Sequence, residues 1–163
     1  MKKAALFIGI VIVCLAILCS CKPNINSKED MRGWVNKHQA LWSNAIATLP
    51  TSAMSIPETF SAAWSEIYQL QGVTMVWYYA EEAYLSVYFS GSFEAEKSKY
   101  LMYDLNQTTF ADFCTRLSWL ETEPVRVSDT SWRWDNLGID GSGYVVLQTL
   151  IQNWYYVESY IPT

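Results

Sequence analysis

Apolar positions along the chain follow two periods, and the change from one to the other divides it. Met31, Trp34, Val35, His38, Leu41, Trp42, Ala45, Ile46 and Leu49 recur every three or four residues, which predicts an amphipathic helix over residues 28–48. Ser27 and Asp30 approximate a capping box at its start, and Pro50 stops it. Residues 51–56 read as a loop. Pro57 suits the first position of a second helix with Phe60, Ala63, Trp64, Ile67 and Tyr68 on one stripe and Gly72 at its end.

From Val73 onward β-branched and aromatic residues take over. Residues 73–79, 84–90 and 99–105 read as strands, the last after a polar connection over residues 91–98. Thr109 opens a third helix over residues 110–121, with Phe110, Phe113, Cys114, Leu117 and Leu120 on one face. Residues 125–127 and 131–135 read as short strands. The last segment reads two ways. Val146, Leu147, Leu150, Ile151, Trp154 and Val157 fit a helical stripe, so residues 143–159 could form a helix and the fold be mostly helical. The wealth of Val, Ile, Thr, Trp and Tyr favours a hairpin turning at Gln152-Asn153. With that hairpin the fold class is α+β: two N-terminal helices, then a mainly antiparallel sheet with one inserted helix.

Composition narrows the classes. The 163 residues, 51% hydrophobic and 15% aromatic, suit one domain with a short appendage. With 16 acids against 11 bases, the chain lacks the basic surface that nucleic acid requires. The hydrophobicity is also uneven. Lys2 and Lys3 precede 16 residues, 4–19, without a charge, which is the layout of a secretory signal.

Leu18-Cys19-Ser20-Cys21 then resembles the lipobox of bacterial lipoproteins. The resemblance covers residues 1–21 alone. It implies that residues 1–20 are removed by signal peptidase II and that Cys21 becomes the lipidated first residue of the mature chain. Residues 21–27 then form a short tether and residues 28–163 a single domain. The alternatives are an uncleaved N-terminal helix or a plain secreted protein, the latter without the usual Ala-x-Ala site. Two or three acyl chains hold a protein firmly, each buried methylene contributing about 0.8 kcal/mol. The expected location is the bacterial cell envelope; Lys22 rather than Asp after the cysteine favours the outer membrane. Processing leaves nine bases against sixteen acids, a net of −7, so lipid rather than a basic patch must hold the domain. Cys114 is then the one free thiol, and no intramolecular disulfide can form.

Catalytic signatures are scarce. The single histidine, His38, excludes a multi-histidine metal site within one chain, and no cofactor-binding motif occurs. Gly138, Gly141 and Gly143 do not match a dinucleotide fingerprint, and Leu137 and Ile139 occupy positions where a calcium loop needs oxygen ligands. His38 with Cys114 would make a nucleophile and base, but each lies on an apolar stripe. Glu81, Glu82, Asp104, Asp129, Asp135 and Asp140 are the acids from which an envelope hydrolase could draw a carboxylate pair. The aromatic excess points elsewhere. Trp132 and Trp134 share one face of a predicted strand and could stack on a sugar ring, with Arg133 on the other face. Buried Trp and Tyr tips want hydrogen-bond partners, so some of the eight Trp and eleven Tyr are expected to be exposed. The leading expectation is a non-catalytic lipoprotein domain that binds an envelope protein or a glycan.

Overall fold

The computed structural model describes Ile25 and residues 27–70, 72–94, 96–117, 120 and 122–162. The expected signal segment and Cys21 lie outside the described residues. The fold is α+β, dominated by one antiparallel sheet of eight strands. In chain order the elements are α1 (Lys28–Ile46), β1 (Met54–Ser55), a 3-10 turn (Glu58–Phe60), α2 (Ala62–Gln69), β2 (Val73–Tyr79), β3 (Tyr84–Glu94), β4 (Lys97–Asp104), α3 (Phe110–Thr115), β5 (Val125–Ser128), β6 (Ser131–Leu137), β7 (Gly143–Ile151) and β8 (Trp154–Tyr160). The strand order is β1-β2-β3-β4-β8-β7-β6-β5, two meanders joined where β4 pairs with β8.

The favoured hairpin forms over residues 143–159 in place of the alternative helix: Ile151 pairs with Trp154 across the turn, and the β-branched and aromatic residues outweigh the helical period. Several boundaries differ from the sequence expectation. Between α1 and α2 the expected loop contains β1, whose Met54 and Ser55 pair with Tyr78 and Trp77. The stretch after Pro57 is a 3-10 turn, and α2 begins at Ala62 because the Ser61 side chain accepts from the Trp64 amide. The expected connection over residues 91–98 is mostly strand, with Glu94 paired to Lys97. α3 ends at Thr115, six residues before the expected end, with Arg116 as its C-cap.

Each face of the sheet has its own core. On one face α1 and α2 cover Val76, Leu85, Val87, Phe89, Leu101 and Trp154. On the other, Phe113, Cys114, Leu117 and Leu120 cover Tyr84, Met102, Val145, Leu147, Tyr155 and Val157. The alternation along β8 follows from the two-residue period: Trp154 and Tyr156 serve the first core, Tyr155 and Val157 the second. Ile25 already belongs to the first core, so packing begins ahead of residue 28.

The first core is built around indoles. Trp42 meets Trp34, Trp64 and Trp154 edge-on at 5.7, 5.9 and 5.1 Å between ring centres. The N–H groups of Trp34, Trp42 and Trp64 find no hydrogen-bond partner among the described residues. Each such group costs about 1–3 kcal/mol. Removing a buried Trp side chain costs about 3–5 kcal/mol, so packing outweighs the unpaired donor. The same balance explains why Trp77 is the one exposed Trp or Tyr among the described residues.

The sheet has two distinct ends. One carries the start of β2, the β3–β4 turn, the β6–β7 loop and the end of β8; the other carries the β2–β3 turn, the end of β4 and the β7–β8 turn.

Candidate functional site

The residues singled out by sequence do not gather in one place. Trp132 and Trp134 do share a face of β6, but their rings are tilted by 43° with centres 6.4 Å apart. Trp134 is only 2% exposed and belongs to the second core. Trp132 is half-buried and forms one wall of a cleft of about 270 Å³ with Cys114, Leu120, Thr122 and Pro124. Arg133 lies on the opposite face, its guanidinium 4.5 Å from the Tyr144 ring centre and bonded through Nε to Asp135 at 2.7 Å. The three residues therefore do not converge on one ligand position.

His38 and Cys114 stand on opposite sides of the sheet. His38 packs beside Trp34 under the first core, where burial and then Lys37 lower its pKa. Cys114 is in the second core, and burial pushes its thiol up to about 12. The carboxylates are dispersed as well. Asp129 pairs with Arg126, Asp135 with Arg133, and Asp140 accepts from the Ser142 amide and hydroxyl. Glu81 and Glu82 occupy the β2–β3 turn, and the Glu82 carbonyl accepts from Arg116. Asp104 is fully buried with both oxygens engaged by Arg116, Thr108 and the Asn106 amide. Burial raises its pKa, but these donors outweigh that and hold the carboxyl below its usual range. No group of three or more His, Cys, Asp or Glu side chains placed to hold a metal ion occurs among the described residues.

A second cleft is one the sequence did not announce. It has a volume of about 410 Å³ and lies between α1 and the β7–β8 turn. Asn36, Gln39, Ser43 and Ile46 line it from α1, and their spacing of three, four and three residues puts them on one helical stripe. Gln107 faces them from the loop after β4, and Gln152 and Asn153 from the β7–β8 turn. Half-buried Tyr103 supplies an aromatic floor, backed by the buried Trp42 and Trp154, with Tyr103 and Trp154 4.8 Å apart between ring centres.

Local conformation brings these side chains together. Gln107 and Asn153 adopt positive φ, 52° and 61°, so two of the four such non-glycine residues among those described meet in this cleft. Asn tolerates this region better than most residues, but Gln does not, and strained positions of this kind concentrate at functional sites. The Asn153 backbone carbonyl accepts from the Asp104 amide at 2.9 Å. The turn is thereby fastened to the end of β4. α1 kinks at His38 (φ −116°, ψ 16°), immediately before Gln39.

Five carboxamides and a hydroxyl over aromatic rings make a neutral site. Each amide offers two donors and an acceptor, and the rings supply apolar contact. Such a lining suits a neutral, polyhydroxylated or amide-bearing ligand, and the volume lies within the range of small-ligand clefts. Sequence reading missed it because its members come from three distant segments. The one local signal was Gln152-Asn153, read only as a turn.

Comparison with known protein families, with curated proteins and with solved structures finds no match for this chain. No helix among the described residues is long and apolar enough to cross a membrane.

Proposed function

We propose that the chain is a bacterial envelope lipoprotein, anchored through Cys21, whose domain is a non-catalytic module that binds a neutral glycan segment in the amide-lined cleft. One observation carries the binding part: Asn36, Gln39, Gln107, Gln152 and Asn153 converge beside half-buried Tyr103. Hydroxyl pairs and acetamido groups of sugars are met by carboxamides of this kind, while ring faces meet aromatic carbons. The Leu18-Cys19-Ser20-Cys21 motif supports the anchor, and a surface with excess acid supports lipid rather than charge as its means of attachment.

The test is retention of the mature domain on peptidoglycan and on neutral polysaccharide. Gln39→Ala and Gln107→Ala, both exposed positions, should weaken retention by about tenfold, the effect of losing one or two ligand hydrogen bonds. Unchanged retention in both variants would remove the cleft from the reading. Loss on Trp132→Ala alone would move the site to the smaller cleft. For the anchor, Cys21→Ser should leave the precursor uncut and unlabelled by fatty acid; normal processing of that variant overturns it.

A further inference from the structure

We infer that the sheet end carrying Ile139 rests on the bilayer surface, so that the amide-lined cleft opens away from the membrane; this inference rests on the anchored reading of Cys21. Ile25 is 4% exposed and packs beside Gly72, immediately before β2. The chain from Cys21 to Ile25 spans four steps, at most about 14 Å when extended. Whatever holds Cys21 therefore lies close to the end of the sheet where β2 begins.

That end is built to make contact. Ile139, at the β6–β7 loop, is 89% exposed, the most exposed large apolar residue among those described. The loop around it is fixed. A Cβ on Gly138 would lie 2.7 Å from the Pro162 carbonyl oxygen, and Asp140 accepts from the Ser142 amide and hydroxyl. Ile161, also exposed, donates its amide to the Glu96 carbonyl at 3.1 Å, tying the end of β8 to the β3–β4 turn. Ile139 offers an apolar side chain on a fixed loop, and the bilayer interface lies within the tether's reach. Half-buried Tyr144 and Tyr160 flank this end, side chains that favour the headgroup region.

The cleft belongs to the opposite end. Tyr103 pairs in the row of Leu85, four residues along β3 from Phe89, which pairs with Val73. At about 3.4 Å per residue the cleft floor lies roughly 14 Å farther from the anchor.

The test places a polarity-sensitive fluorophore on the full-length, lipidated protein in phosphatidylethanolamine–phosphatidylglycerol vesicles, through Ile139→Cys or, at the far end, Glu81→Cys. Cys114 is buried and stays unlabelled, and both substituted side chains are exposed, so folding is preserved. A label at 139 should be quenched by shallow spin-labelled lipid about twofold or more above one at 81, as expected for a side chain seated at the headgroup–acyl boundary. Equal quenching at both positions on vesicle-bound protein overturns this orientation while leaving the anchor standing. A protein that does not sediment with the vesicles overturns the anchor and the orientation with it.

Discussion

Arg116 and the buried Asp104 carboxylate form an ion pair that joins three elements. The guanidinium also donates to the Glu82 carbonyl in the β2–β3 turn and to the Thr108 hydroxyl, and it lies 5.3 Å from the Phe113 ring centre. Thr108 donates its own hydroxyl and amide to the same carboxylate, at 2.7 and 2.8 Å. The pair thus ends α3, closes the loop after β4 and holds the β2–β3 turn.

Asp104→Asn should destabilise the domain by about 3 kcal/mol, the lower part of the range for breaking a buried pair, because Arg116 remains partly solvated. The dependence on pH gives a second reading. Native Asp104 has a lowered pKa, so the unfolded chain takes up the proton first as pH falls. Its contribution is present above the unfolded value of about 3.9 and disappears as pH drops through the lower native value. Denaturant melts of the two proteins should therefore converge in acid. A gap that stays constant from neutrality to acid contradicts the assignment.

At the alkaline limit the tyrosines decide. Burial raises Tyr155 to about 12 and raises Tyr88, Tyr100 and Tyr156 further or comparably, with neighbouring charges adding to it. Unfolded tyrosines ionise near ~10, so stability is complete below that pH and lost as pH rises through the native values. Tyrosinate absorbance should rise in two steps, a gradual one before unfolding and a cooperative one coincident with loss of circular dichroism. A single smooth titration without unfolding would show that these rings are accessible.

Two glycines should respond oppositely to alanine. A Cβ on Gly143 would lie 2.5 Å from the Leu137 carbonyl oxygen and 2.8 Å from that of Tyr160, both backbone atoms. Gly143→Ala should cost about 2 kcal/mol or more. Gly33, in α1, has open space where the Cβ would be, so Gly33→Ala should stabilise by about 0.5–1 kcal/mol. Thermal melts of the two variants shift in opposite directions; a shift of the same sign in both refutes the packing at Gly143.

Cys114 should be inert toward an aromatic disulfide reagent in the native domain, because burial disfavours its thiolate. Its labelling rate should follow the population of unfolded chain across a denaturant series. Fast native labelling would mean that the wall of the Trp132 cleft opens.

Much of the sheet was legible because residues 73–79 and 84–90 combine alternation with β-branched and aromatic side chains, two signals that agree. The terminal segment was ambiguous because they disagree there, and pairing of β8 with β4 and β7 at once resolved it. α3 was read too long because its apolar stripe continues through Leu117 and Leu120, which pack against the sheet without helical backbone. β1 was invisible, since two residues acquire strand geometry only from Trp77 and Tyr78 beside them. The cleft was least legible. Exposed carboxamides carry no periodic signal, and only the folded chain brings Gln107 opposite Gln39. The aromatic excess meanwhile proved to be chiefly interior, with Trp134 and Trp154 in the cores rather than on the surface.

The central place of β8 has a kinetic consequence. Its registry with β4 joins residues 51 to 63 apart in sequence, from Tyr103 with Trp154 to Lys97 with Tyr160. Each meander can form locally, but the sheet closes only when this late strand enters between two that precede it. Contacts of such long range slow folding. A chain emerging from its amino end would therefore present an unjoined sheet until Tyr160 had emerged.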